Sequence, residues 1–203
     1  QKSEEENEKT LSLLKKILMI SIPVTISSVI SVIHPLIDSA TVSRCIQTAF
    51  ASLYPVKEQL ETLAMSKTGI ISKIDTLTNL PIAVNIAFST ALVPAISAAI
   101  AKKDFTNVSK RMTFSIFASL LIVLPCAAGF ISLAQPILNL IYPAANDGAT
   151  LLMLYSVAMV FIALNQTING GLYGINKMTV PLISLVVAAV LKIILNNVLV
   201  SNP

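Results

Sequence analysis

Five apolar runs, each long enough to cross a bilayer, constrain this chain more than any other feature. They cover residues 17–43, 70–101, 112–133, 149–171 and 178–200. Each supplies the roughly 20 apolar residues that a hydrocarbon core about 30 Å thick demands. Charged residues make up 12% of the chain, about half of the roughly 25% found in soluble domains. A backbone crossing lipid must satisfy its own hydrogen bonds, so these runs predict helices. The expected fold is an all-α integral membrane protein. Prolines 23, 35, 81, 94, 125 and 181 fall in or beside the runs; kinked helices of this kind suit a transporter better than an isolated anchor.

The breaks between the runs set the orientation. Lys2, Lys9, Lys15 and Lys16 precede the first run, Lys102, Lys103, Lys110 and Arg111 follow the second, and Lys177 follows the fourth. Only Arg44, Lys57 and Lys67 lie on the other side. The excess puts residues 1–16 and "KKDFTNVSKR" in the cytoplasm, and the 44–69 segment and "YPAANDGA" outside. Within 44–69, "VKEQLETLAM" places Val56, Leu60 and Leu63 on one face, which predicts a short helix lying on the outer surface. The 1–16 run is too polar for a signal peptide. With "LVSNP" closing the chain straight after the last run, the sequence reads as a piece of a longer protein.

Polar groups inside the runs are the candidate functional residues. At about 100° per residue, Ser72, Asp75, Thr78, Asn79, Asn85, Ser89, Thr90 and Ser97 fall within one arc of about 140°. Lys73 lies off it and can snorkel toward the outer interface. The arc predicts a helix face bordering water, lined by Asp75, Asn79 and Asn85. In the first run Ser27, Ser31, His34 and Asp38 form a second stripe, beside Pro35. A carboxylate facing lipid costs about 2.5–3.5 kcal/mol on insertion scales, so a cavity is the cheaper place for it. Lys192 and Asn196 lie one turn apart in the fifth run. The fourth run also carries Gln166; Asn165 and Asn169 there, and Asn197 in the fifth, fit interhelical hydrogen bonding instead. His34, Asp38 and Lys192 each have a structural reading too: a hydrogen-bonder, a helix-end residue and a partner for a carboxylate elsewhere.

Other functions lack their residues. Cys45 and Cys126 give neither a disulfide framework nor metal spacing. No Gly-rich phosphate loop, acidic metal motif or Ser/His/Asp set occurs, so catalysis is not expected. The net charge of +4 is spread over loops without interleaved aromatics, so nucleic acid is not an expected partner.

Several segments, taken in order, resemble a known family. "LKKILMISIPVTISSVISVIHPLID", "LTNLPIAVNIAFSTALVPAISAAIAKKD", "LPCAAGFISLAQPILNLIYP", "NQTINGGLYGINKMTVPL" and "LKIILNNVLV" are similar to consecutive helices of the multidrug/oligosaccharidyl-lipid/polysaccharide exporter superfamily. The nearest resemblance is to its stage V sporulation protein B and polysaccharide-biosynthesis branch, with lipid II flippases of the MurJ type as near relatives. The resemblance implies a two-lobed, MATE-like transporter of the bacterial cytoplasmic membrane. Residues 17–203 would form most of its C-terminal lobe, and the N-terminal lobe would lie outside this chain. The implied substrate is a lipid-linked oligosaccharide or lipid II-like precursor, moved by alternating access among membrane lipids. Ser31, His34, Asp38, Asp75, Asn79, Asn85, Lys192 and Asn196 would line the path. No cofactor is implied; Asp38 and Asp75 are the groups that would take a coupling proton or Na⁺. Flippases of this kind use cavity arginines for the diphosphate. Here the runs contain none, which leaves Lys73 or Lys192 as point charges, or arginines in the other lobe. The rival readings are a cation-coupled drug antiporter of the same superfamily and a non-transporting scaffold for cell-wall synthesis. A glycosyltransferase is disfavoured, because Asp104 is the only acid in the cytoplasmic loops between runs.

Overall fold

The computed structural model describes residues 57–195 together with 14, 17, 18, 21, 22, 25, 26, 29 and 47, all of these isolated positions being helical. Five helices follow in order: α1 (Lys57–Ala101), α2 (Phe105–Ser132), α3 (Ala134–Ile141), α4 (Ala149–Gly174) and α5 (Thr179–Leu195). The chain divides into two compact units, residues 54–177 and residues 1–53 with 178–203. Among the described residues, three helices are long and apolar enough to cross a membrane: Glu61–Ala101, Phe105–Ser132 and Ala149–Gly174.

In the 54–177 unit, α1 and α4 run parallel and α2 runs antiparallel to both. The pairings fix this arrangement. Asp75, Asn85 and Ser97 of α1 meet Tyr155, Ala163 and Gly174 of α4 in the same order. Ser119 of α2 meets Asn85, while Phe130, later in α2, packs against the cluster that includes Ile74, Leu77 and Leu152. One apolar cluster near the 142–148 loop joins Ile74, Leu77, Ala134, Leu138 and Leu152. A second, further along the bundle, joins Ile82, Val123, Ala127, Met159 and Ala163.

The radial distribution inverts that of a water-soluble bundle. Thr78, Asn85, Ser119, Ser156 and Thr167 are buried at 0–1% exposure, whereas Phe114, Phe117, Leu121, Leu154 and Phe161 are 63–67% exposed. Lipid is as apolar as leucine, so no hydrophobic force draws these large side chains inward; close packing and hydrogen bonds join the helices. Many hydroxyls bond back to their own helix, as Thr78 Oγ1 does to Ile74 O at 2.9 Å and Thr90 Oγ1 to Ile86 O at 2.8 Å, which satisfies them without water.

Two boundaries correct the sequence reading. "VKEQLETLAM" is not a separate surface helix: from Lys57 it forms the first turns of α1, a single helix of 45 residues. No proline interrupts the chain between Lys57 and Leu80, so nothing ends the helix there. At 1.5 Å per residue α1 is about 68 Å long, more than twice a hydrocarbon core. α2 starts at Phe105 rather than near residue 112, because Asp104 caps it, accepting the Asn107 N–H at 2.9 Å. Lys110 and Arg111 thus belong to the first turns of α2. α2 ends at Ser132, where Pro136 cannot donate back to the Ser132 carbonyl; α3 continues after the irregular Leu133. α4 closes with left-handed Asn176 (φ 62°) and the paired bonds Asn176 N–H to Tyr173 O and Lys177 N–H to Leu172 O, a Schellman turn.

The stretch "GGLYG" packs α4 tightly on its neighbours. A Cβ on Gly170 would lie 2.7 Å from the Ser89 carbonyl oxygen of α1, and one on Gly174 would lie 2.7 Å from Ile96 Cβ. Small residues one turn apart let helix backbones approach this closely in membranes. Gly170→Ala is therefore expected to destabilise the full-length protein by about 1–3 kcal/mol. Gly129→Ala, whose Cβ would meet no atom within 4 Å, is expected to leave stability unchanged or to raise it by up to about 1 kcal/mol. Thermal denaturation in detergent checks this, and equal melting of the two variants would contradict the packing.

Candidate functional site: a divided polar arc

The polar arc of α1 serves two different purposes. One edge is an internal junction. Asn85, fully buried, donates through Nδ2 to Ala163 O at 2.9 Å and to Gln166 Oε1 at 3.1 Å, both on α4. Its Oδ1 accepts from Ser119 Oγ of α2 at 2.5 Å and from Thr167 Oγ1 of α4 at 3.5 Å. Ser89 Oγ donates to Gln166 O at 2.6 Å. Asn85 is thus a node between three helices, and the expectation that it borders water is corrected. Its amide sits where an unpartnered polar group would be most costly, and both of its ends are satisfied.

The other edge is open. Asp75, turned about 80° from Asn85 around α1, is exposed, as are Ser72, Asn79 and Thr90. Asp75 Oδ1 accepts from Tyr155 Oη of α4 at 2.9 Å, and Oδ2 accepts from Asn79 Nδ2 at 3.4 Å. The tyrosine carries the open face across onto α4. There Asn169 lies about 40° from Tyr155 and Asn165 about 80°. Both point away from the buried stripe of Ala163, Gly170 and Gly174. Asn169 Nδ2 donates to Asn165 Oδ1 at 2.6 Å; Asn165 is exposed and Asn169 half-buried. Asp75, Asn79 and Tyr155 are joined by hydrogen bonds across the α1–α4 seam, Asn165 and Asn169 are joined on the adjoining open side of α4, and Thr90 is exposed on α1; together these groups make up a polar strip.

Asn165 and Asn169, expected to join helices, lie on this open side, while Asn85 and Gln166 do the joining. Tyr155 was not singled out in the sequence. The signal for all three is positional: they sit to one side of the small-residue stripe that marks the buried line of α4. Ser31, His34, Asp38 and Asn196 lie outside the described residues. Lys192 is half-buried in the last turn of α5, in the other unit.

Lys73 is held away from the strip. Its Nζ donates to Ala145 O at 2.9 Å and stands 5.7 Å from the Tyr142 ring centroid. It lies about 160° around the helix from Asp75. Its charge therefore ties down the 142–148 loop. That loop is also held by Gln135 Nε2, which donates to Asn146 O at 3.3 Å, and by Asn146 Nδ2, which donates to Asn139 Oδ1 at 2.7 Å.

The division of the arc has a stability signature. Asn85→Ala removes bonds to two helices and opens a small void, an expected cost of about 1–3 kcal/mol. Asn79→Ala, on the open edge, is expected to stay within about 0.5 kcal/mol of the parent. Denaturation of the full-length protein in detergent measures both, and similar losses would contradict the division.

The chain as a whole is similar to known proteins. The family described as "Lipid II flippase MurJ" matches residues 2–203. The chain is 26% identical over 191 residues to "Uncharacterized membrane protein YabM" of Bacillus subtilis (strain 168), covering 94% of this chain and 34% of that protein. It is 26% identical over 125 residues to "Lipid II flippase MurJ" of the same organism, covering 59% of this chain and 23% of that protein. The chain thus spans about a third or less of the length of these curated relatives. No solved structure matches. The long apolar helices and the family match make this a multi-pass protein of the bacterial cytoplasmic membrane, related to transporters and not to enzymes. The chain belongs to the MurJ lipid II flippase family.

Proposed function

We propose that this chain is part of a flippase that carries a lipid-linked cell-wall or polysaccharide precursor across the cytoplasmic membrane, and that the α1–α4 strip lines its path. The observation that carries this reading is the strip itself. Asp75, Asn79, Thr90, Tyr155, Asn165 and Asn169 gather on one side of helices whose remaining exposed faces carry phenylalanine and leucine. Polar groups at membrane depth belong against protein or a watery passage. A flippase needs such a passage, because a sugar headgroup cannot cross hydrocarbon unsolvated. The tight α1–α2–α4 packing suits a lobe that rocks as a body against a second lobe. The relative called Lipid II flippase MurJ supports lipid II or a close analogue as cargo. The stage V sporulation protein B and polysaccharide-export branch is the finer version of this reading, supported by the order of the sequence elements. Asp75 and Asp38 are the carboxylates proposed to take up any coupling proton or Na⁺. The amide-rich strip supports a saccharide cargo over the aromatic drugs of an antiporter.

The test uses the full-length protein in a host depleted of its native lipid II flippases. Lipid II reaching the outer leaflet is measured for wild type and for Asp75→Ala at equal expression. The expected outcome is delivery by wild type and a loss of about tenfold or more in the variant, of the order of one charge-assisted hydrogen-bond set. Absence of delivery by wild type would overturn the lipid II reading. Full delivery by Asp75→Ala would remove Asp75 from the path.

A further inference from the structure

Resting on that reading, we infer that the α1–α4 strip receives the uncharged saccharide of the cargo, and that the cargo's diphosphate is bound elsewhere. The inference comes from the donor, acceptor and charge inventory of the strip.

Three side-chain amides, one threonine and one tyrosine provide the hydrogen-bonding groups. The Asn169-to-Asn165 bond uses one donor of Asn169 and the carbonyl oxygen of Asn165. Among the described residues, no other hydrogen bond uses the Asn165 NH₂ or the Asn169 carbonyl oxygen. The pair therefore presents three donors, two on Asn165 and one on Asn169, and an acceptor side by side. Asn79 donates once, to Asp75, and keeps its own carbonyl oxygen as an acceptor. Thr90 returns its proton to Ile86 O and keeps oxygen lone pairs. Mixed donors and acceptors at close spacing match sugar hydroxyls and N-acetyl groups, which are themselves both donor and acceptor.

Charge argues against a phosphate in the same place. The strip's one acidic side chain is Asp75, with its two oxygens turned to Tyr155 and Asn79. A carboxylate repels a diphosphate and accepts well from sugar hydroxyls. α4 has no charged residue between Ala149 and Gly174. Apart from Lys57, the first residue of α1, the cations of the 54–177 unit are otherwise placed. Lys73 is turned to Ala145 O. Lys67 stands two turns beyond Asp75, toward the start of α1. Lys102, Lys103, Lys110, Arg111 and Lys177 lie at the far helix ends. None of these brings a donor fork of the Arg type to the strip, and bidentate guanidinium contacts are the usual way to hold a diphosphate.

The experiment compares two lipids on the full-length protein in detergent by native mass spectrometry. One is undecaprenyl diphosphate; the other is undecaprenyl diphosphate carrying an N-acetylated disaccharide. The variant is Asn165→Leu/Asn169→Leu. The two amides are bonded to each other, so removing both orphans no partner. Relative to wild type, affinity for the disaccharide lipid is expected to fall about tenfold, and that for undecaprenyl diphosphate to change by less than about twofold. Equal losses for both lipids would overturn the inference, because the strip would then serve the diphosphate or the fold. No loss for either would also overturn it, because the strip would then face another part of the protein. If the leucine variant is not recovered folded, Asn165→Ala/Asn169→Ala is read by the same criteria. Should wild type bind neither lipid, the flippase reading itself falls. Binding of both lipids by wild type with no selective loss in the variant removes only the assignment of the strip.

Discussion

One buried amide organises this unit. Asn85 lies at the meeting point of α1, α2 and α4, and both ends of its side chain are taken up by the other two helices. Each such bond is modest in a membrane, averaging about 0.6 kcal/mol in one measured series. The alternative sets its importance: slide any of the three helices by a turn and a primary amide is left in an apolar interior, a penalty of several kcal/mol. Asn85 thus acts mainly by excluding other registers. Gly170 and Gly174 act alongside it, because only glycine lets α4 approach Ser89 and Ile96 this closely.

From that register the open strip follows. With Asn85 and Ser89 committed to α4, the residues about 80° further round α1 emerge beside the seam rather than under it. Tyr155 reaches across to Asp75, and the asparagine pair of α4 continues the same line. The inverted distribution of size and polarity makes this line conspicuous, since the other exposed faces carry large apolar side chains. A passage for a polar headgroup needs both properties: a body that keeps its shape, and one wet face on it.

The three long helices over the runs 70–101, 112–133 and 149–171 were legible in the sequence, because long apolar runs leave few other folds; most of the 17–43 run lies outside the described residues. Membership of the family was legible too, through the order of elements, none of them distinctive alone. The arc on α1 could be seen by periodicity, but periodicity gives direction and not partners. It could not say that Asn85 meets Ala163 and Gln166 while Asp75 stays open, since those partners come from a distant part of the chain. For α4 the residue types were not enough: asparagines in a span suggest interhelical bonds, and among the described residues Gln166 forms them while Asn165 and Asn169 bond to each other. The buried line was already marked by Ala163, Gly170 and Gly174, and measuring angles from it would have separated the two classes. The start of α1 shows another limit. An amphipathic pattern in "VKEQLETLAM" fits a surface helix and the first turns of a long one equally well, and the lack of a proline or other stop signal before Pro81 decides for the latter.

The division of the arc is most directly tested by solvent access in the full-length protein. After replacing Cys45 and Cys126 with serine, single substitutions Asn79→Cys, Thr90→Cys, Asn165→Cys and Asn169→Cys would be compared with Thr78→Cys, Asn85→Cys and Thr167→Cys. The probe is a charged, membrane-impermeant thiol reagent applied in turn from each side of the membrane. The first group is predicted to be modified and the second protected. Modification at Asn85 and Thr167 with protection at Asn165 and Asn169 would contradict the account, placing water where the helices are held to meet.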